Sequence, residues 1–273
     1  MEDDAFSQSA IWEEFTKAGF SSKDFGRENI FSYPLIDSTN TELLRRIEKD
    51  GPSKEKILVA AEEQSAGRGR VKRTFYSPKK SGVYFSIALV PETEDFNPAI
   101  YTASAAVAIC RAVEALCRTK TQIKWVNDIF INGKKISGIL AEGHVSPATG
   151  KIDALVIGIG INISSEGLPA ALRASAAGIT DGSEASFTRA KLVAYCTGQL
   201  LRILDTKEDI IEEYRRRSML IGSTVTVTPL AGSTRSSYSA TVTGISGSAG
   251  LLVKKSDGTE AELHSGEVTL HNG

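Results

Sequence analysis

The 273-residue chain has only three cysteines and three histidines, and neither set is spaced for chemistry. Cys110, Cys117 and Cys196 make an odd count with no CxxC pair, and His144, His264 and His271 are scattered, so a disulfide framework and a Cys/His zinc site are both excluded. Cys110 and Cys117 stand seven apart on an expected helix, share a face, and read as buried small hydrophobes. Charge of one sign is lacking too. Lys and Arg total 32 against 33 Asp and Glu, which excludes a surface that coats nucleic acid or anionic membrane as a whole. The first residues, MEDDAFSQ, are acidic where a secretion signal would be basic, and no apolar run approaches the roughly 18 residues of a membrane span. A cytoplasmic protein without membrane partners is expected. No GxSxG elbow, HExxH pair or Ser/His/Asp set is present. The stretch GHVSPATGK separates its glycines by six residues rather than four and is followed by Ile152 where a P-loop needs Ser or Thr, so it reads as a hairpin turn. Gly158-Ile-Gly160 opens like a dinucleotide fingerprint but lacks the third glycine and alternates like a strand.

What is there divides into three parts. Residues 1–31 carry one short helical pattern and read as an N-terminal arm. Residues 32–218 read as a strand (FSYPLID), a helix opened by Ser38-Thr39-Asn40, a strand (ILVAAE), a polar glycine-containing loop, a strand (GVYFSIALV) and an alanine-rich helix over 98–118. The strand QIKWV follows, then a hairpin DIFINGKKISGILAE whose Asn132-Gly133 signals a type I′ turn, the strand DALVIGIGINI, a loop over 164–186 and a helical stretch to Arg217. The class is α+β with a mixed, mainly antiparallel sheet. Residues 219–273 are short strands separated by Gly, Ser and Asp, and read as a small SH3-like β-barrel.

The densest chemical signal is the loop EEQSAGRGRVKRTFYSP. From Arg68 to Lys80 six of thirteen residues are basic and none is acidic. Gly67 and Gly69 let the backbone approach a ligand, and arginine forks match carboxylate and phosphate oxygens. The loop is built to receive an anion, with a solvated charged loop as the bland alternative.

GRGR followed by a basic stretch, then KWVNDIFINGKKISGIL, then GIGINI, preceded by DSTN and followed by the small β-domain, resembles the biotin protein ligases over residues 32–270. The resemblance implies a class II synthetase-like catalytic domain that takes biotin, ATP and Mg²⁺, makes biotinyl-5′-AMP and pyrophosphate, and passes biotin to a lysine of a biotin carboxyl carrier protein, as in acetyl-CoA carboxylase. It implies that Ser38, Thr39, Asn40, Gln64, Arg68, Gly69, Arg70, Lys135 and Gly138 bind biotin. Arg70, Arg73, Phe75, Lys124, Asn127, Asp128 and Asn162 would lie at the nucleotide, with Arg70 and Lys135 catalytic and magnesium carried by ATP, Asp128 beside it. Lys134 should face away from the site and Trp125 should pack in the core. A Ser38-Thr39-Asn40 helix cap is compatible with the binding role.

The sequence departs from the family at three positions: Lys72 stands for a common glycine, Phe75 for a tryptophan and Val126 for a proline, which puts the ATP contacts near Phe75 in doubt. The winged helix-turn-helix of many bacterial relatives has no counterpart before the motifs, so sequence-specific DNA binding is not expected. A lipoate or octanoate ligase or transferase, a nucleic-acid-binding module and a non-catalytic biotin sensor are the rival readings. A strand edge near 135–145 leaves a homodimer by sheet extension open.

Overall fold

The computed structural model describes residues 6–92, 96–182, 185–229 and 236–270, apart from the side chain of Lys72. Along the chain run α1 (Gln8–Lys17), β1 (Ile30–Tyr33), α2 (Thr39–Asp50), β2 (Ile57–Ala61), β3 (Gly82–Leu89), α3 (Pro98–Cys117), β4 (Gln122–Lys124), β5 (Asp128–Ile131), β6 (Lys134–Val145) and β7 (Ile152–Asn162). Then come α4 (Ala170–Arg173), α5 (Arg189–Thr206), α6 (Ile211–Arg217), β8 (Thr224–Thr228), β9 (Tyr238–Ile245), β10 (Leu251–Lys255), β11 (Glu260–Leu263) and β12 (Glu267–Leu270).

Seven strands form one sheet in the order β1-β2-β3-β7-β6-β5-β4, antiparallel except for β1 with β2. The class is the mixed, mainly antiparallel α+β expected. β3 and β7 sit at the centre, buried along almost their whole length, so their near-continuous apolar runs mark strands covered on both faces. One face is covered by α3 and α5, the other partly by α2. Asn132 and Gly133 both have positive φ (49° and 75°), the type I′ geometry that the Asn-Gly pair signals between β5 and β6.

α3 corrects one sequence reading. It is long and apolar enough to cross a membrane by length and composition, and 67% of its most apolar window is buried inside the protein, so it serves as the core helix that packs on α5. Asn97 caps it, Pro98 occupies its first turn, and Arg118 ends it in the left-handed conformation. The helical stretch that the sequence runs to Arg217 is two helices, because Lys207, at φ 53°, ends α5. α1 buries Ile11 and Phe15 in the main core against α5.

The C-terminal strands form a second sheet in the order β11-β10-β9-β8-β12. It is open: among the described residues no pairing joins β11 to β12, where a closed barrel would need one. Buried residues alternate with exposed ones along β8 and β9, as a sheet with one packed face requires. Trp125 Nε1 donates to Ala249 O (2.9 Å) and Arg215 to Ile245 O (2.8 Å), which ties this sheet to the larger domain.

Candidate active site

One face of the seven-stranded sheet organises a cavity of about 240 Å³. Cross-strand partners share a face, so Tyr84, Gly160 and Gly138 lie in one row, and Ser86, Gly158 and Leu140 in the next. Gly138, Gly158 and Gly160 leave the floor without side chains, and other groups use the space. A methyl group on Gly160 would lie 2.5 Å from the Phe75 ring, and one on Gly138 3.2 Å from Lys135 Nζ. At Gly158 it would collide with the Asn40 amide.

Lys135 reaches this face through a break in strand alternation. Lys135 and Gly138 are an odd number of residues apart, and a regular strand would send them to opposite faces. The pairing of β5 with β6 shifts register, Ile129 opposing Ser137 but Phe130 opposing Lys135, so Ile136 is an extra, bulged residue that restores them to one face. Lys135 Nζ then lies 2.7 Å from Asp128 Oδ1, an ion pair at the middle of the cavity. Lys134 points away and donates to Arg173 O.

At one end stand hydroxyls and amides. Ser38 caps α2, its Oγ accepting from Thr41 N, and Ser38, Thr39 and Asn40 are all buried. Gln64 Oε1 accepts from Thr39 N (2.9 Å), and Gln64 Nε2 donates to Ser77 Oγ (2.9 Å). At the other end stand cations. Arg70 donates to Asn127 Oδ1 (3.1 Å) and Gly266 O (3.0 Å), and Arg73 pairs with Glu267 (2.8 Å). Burial lowers the pKa of Lys124 below the ordinary amine value, with Asp128 opposing that shift and Lys135 adding to it. Asn127 is fixed by its own Nδ2 donating to Ile139 O (2.8 Å). The loop between the two ends is shaped by Gly69 N donating to Arg73 O (2.7 Å) and Phe75 N to Gly67 O (3.0 Å). At its tip Val71 is exposed with φ 53°, a conformation that β-branched residues disfavour.

Of the residues singled out from the sequence, Ser38, Thr39, Asn40, Gln64, Arg68, Gly69, Arg70, Arg73, Phe75, Lys124, Asn127, Asp128, Lys135 and Gly138 all line the cavity. Asn162 does not line it. It ends β7, paired with Gly82 and accepting from Ile179 N (2.9 Å), which places it past the end of the pocket. The Phe75 ring lies against the glycine floor and edge-on to Tyr84 (6.3 Å between centroids). Trp125 is buried, as its place on the face opposite Lys124 requires, and it also borders the cavity.

Sequence reasoning missed the floor glycines Gly158 and Gly160, the residues Gly266 to Thr269 contributed by the second sheet, and Glu142, which accepts from Asn40 and Arg68. Two glycines at i and i+2 in an apolar strand were a usable signal for a bare floor. Nothing local marks the other two.

This order of features is matched in known proteins. Residues 32–162 match the model of the Biotin/lipoate A/B protein ligase family. The chain is 33% identical over 179 residues to the bifunctional ligase/repressor BirA of Bacillus spizizenii, covering 65% of this chain and 54% of that one. It is 27% identical over 198 residues to a biotin--[acetyl-CoA-carboxylase] ligase of Mycobacterium tuberculosis, covering 70% of this chain and 71% of that one. The chain spans about half the length of the bifunctional Bacillus relatives it matches. In structure it resembles the biotin protein ligase from Aquifex aeolicus in complex with biotin and ATP, with a TM-score of 0.73 at 24% identity over 90% of this chain and 100% of that one, a likeness of fold.

Proposed function

We propose that the protein is an ATP-dependent biotin protein ligase. The observation that carries this reading is the position of Lys135. Its ammonium lies against Gly138, between the hydroxyl and amide end of the cavity and the end lined by Lys124, Arg70 and Arg73. A ureido ring needs both donors and acceptors, which Ser38, Thr39 and Gln64 supply. A triphosphate needs cations, and the acid's carboxylate must meet the α-phosphorus where the two ends join.

In the first step a carboxylate oxygen of biotin bonds to the α-phosphorus of ATP and the bond to the β-phosphate oxygen breaks, releasing pyrophosphate and leaving biotinyl-5′-AMP. Two anions have to approach while charge moves onto the leaving group. Lys135 and Arg70 neutralise that repulsion and hold the reactants in line. In the second step an acceptor lysine amine attacks the acyl carbon, the bond to AMP breaks, and the amine proton is lost. No enzyme nucleophile is needed. In this reading magnesium arrives on the nucleotide, and the carboxylates that line the cavity beside it are Asp128, paired with Lys135, and Glu267, paired with Arg73.

The acceptor in this reading is a biotin carboxyl carrier domain. β6 offers it, or a second copy of the chain, a sheet edge: β5 pairs only with Lys134 to Gly138, and among the described residues no strand covers the same side of residues 141–145.

The test is ATP–pyrophosphate exchange with biotin, lipoate, octanoate or no acid, using Lys135→Ala as the control. Exchange that requires biotin and collapses in the variant supports the proposal. Exchange with lipoate or octanoate moves the protein to the other branch of its family, and silence with every acid in folded protein overturns the ligase reading.

A further inference from the structure

Glu142 stands just outside the cavity on β6, on the same sheet face as Gly138 and Leu140, and both its oxygens are taken. Oε2 accepts from Asn40 Nδ2 (2.8 Å), and Oε1 accepts from Arg68 Nη2 (2.6 Å) across 74 residues of sequence. A count of protons shows what this does to Asn40. Its amide donors go to Leu140 O (3.2 Å) and Glu142, and its Oδ1 accepts from Ser86 Oγ (2.6 Å). Ser86 has one proton, so Thr39 Oγ1, 2.7 Å away, must donate to it, while Gln64 Oε1 keeps the Thr39 N–H. The Asn40 side chain therefore has no donor left for a ligand. It links β6, β3 and α2, and Glu142 extends that link to the loop.

The loop over 64–77 is held at its far stem by Gln64 on Ser77. Its Arg70 and Arg73 are tied to Asn127, Gly266 and Glu267 at the cationic end. Over the hydroxyl and amide end, the Arg68 side chain is tied to Glu142. We propose that Glu142 is the positioning residue that clasps the Arg68 half of the loop over the acid-binding pocket and so sets how long the acid stays bound. The identity of that acid rests on the function proposed above; the clasp rests on geometry alone.

The experiment uses limited trypsin digestion of the full chain without ligand, following cleavage after Arg70 and Arg73. Where opening is fast relative to cleavage, the cleavage rate follows the population of the open loop. The ion pair is partly exposed, with 44% of the Arg68 and 21% of the Glu142 side chain accessible, so Glu142→Ala should speed loop cleavage about fivefold. Arg68→Gln should do the same, and the double variant should add nothing further. Glu142→Gln keeps the shape and one acceptor oxygen and should be intermediate, which guards against a misfolded alanine variant. With labelled biotin, dissociation should quicken about fivefold in Glu142→Ala while the KM for ATP stays unchanged. Unchanged loop cleavage in both Glu142 variants would overturn the clasp, as would additive effects in the double variant. Faster, non-additive cleavage in protein that binds no biotin would support the clasp and remove the ligand assigned to it.

Discussion

Replacing Gly158 by alanine tests whether the bare floor is a structural requirement. Gly158 lies on β7 between β3 and β6, so its backbone cannot retreat, and its φ is not positive, so alanine meets no conformational penalty there. The new methyl would collide with the Asn40 amide, 2.8 Å from Cγ and 3.0 Å from Nδ2. Asn40 is 3% exposed and held by Ser86, Leu140 and Glu142, so relief requires it to break hydrogen bonds worth about 1 kcal/mol each. Overpacking in a closed site costs about 1–3 kcal/mol, and removing a strand glycine returns roughly 0.5–1 kcal/mol. The net is a loss of about 2 kcal/mol, or roughly 4–8 °C in melting temperature for a chain of this size. Gly160→Ala is the matched control. Its methyl would lie 2.5 Å from the Phe75 ring, but that ring is carried by the loop and can withdraw, so the melting temperature should fall by less than about 2 °C while loop cleavage rises. Thermal unfolding followed by circular dichroism decides the matter. A Gly158→Ala protein that melts at or above the wild-type temperature would refute the packing argument.

Tyr214 is fully buried and its hydroxyl donates to Val126 O (3.0 Å), which braces the segment that carries Asn127 and Asp128. Tyr214→Phe strands that carbonyl and should cost about 1–2 kcal/mol in urea unfolding; an unchanged midpoint would show that the bond contributes nothing. Burial pushes the carboxyls of Glu114 and Glu213 up, but hydrogen bonds from Arg217 and Thr121 to the first, and from Arg111 and Arg217 to the second, outweigh it and hold both below the usual glutamate value of 4.5. A carboxyl with a lowered folded-state pKa adds stability above its unfolded value and loses it as pH falls through the folded one. The urea midpoint should therefore drop below pH 4.5, and Glu114→Gln should flatten that drop. Burial raises the thiol pKa of Cys110 to about 12, that of Cys117 to about 11, and that of Cys196 as well. The native protein should resist a thiol reagent at pH 8, with three thiols appearing in denaturant; fast reaction in the native state would contradict the burial.

Much of the fold was legible because its signals are local. Asn132-Gly133 fixes a hairpin turn through its two positive φ angles, Ser38 and Asn97 cap the helices that follow them, and alternation along β8 and β9 marks a sheet with one packed face. The open edge of the second sheet was not legible, since strand count and turn spacing do not specify whether the last strand closes on the first.

By itself the sequence determined which residues would carry charge and polarity at the site: the arginine and glycine loop, the Ser38-Thr39-Asn40 cluster and the lysines of the hairpin. Their types and short spacings suit the anion and the ureido ring of the substrate proposed above. Only the tertiary structure decided how they meet. The bulge at Ile136 turns Lys135 onto the face of Gly138, Glu142 finds Arg68 across 74 residues, and Gly266 and Glu267 close the cationic end from the second sheet. It also made α3 a core helix, because burial against α5 depends on the whole fold and not on how apolar the helix is. These outcomes rest on contacts between distant segments, and such contacts leave no periodic trace in the chain.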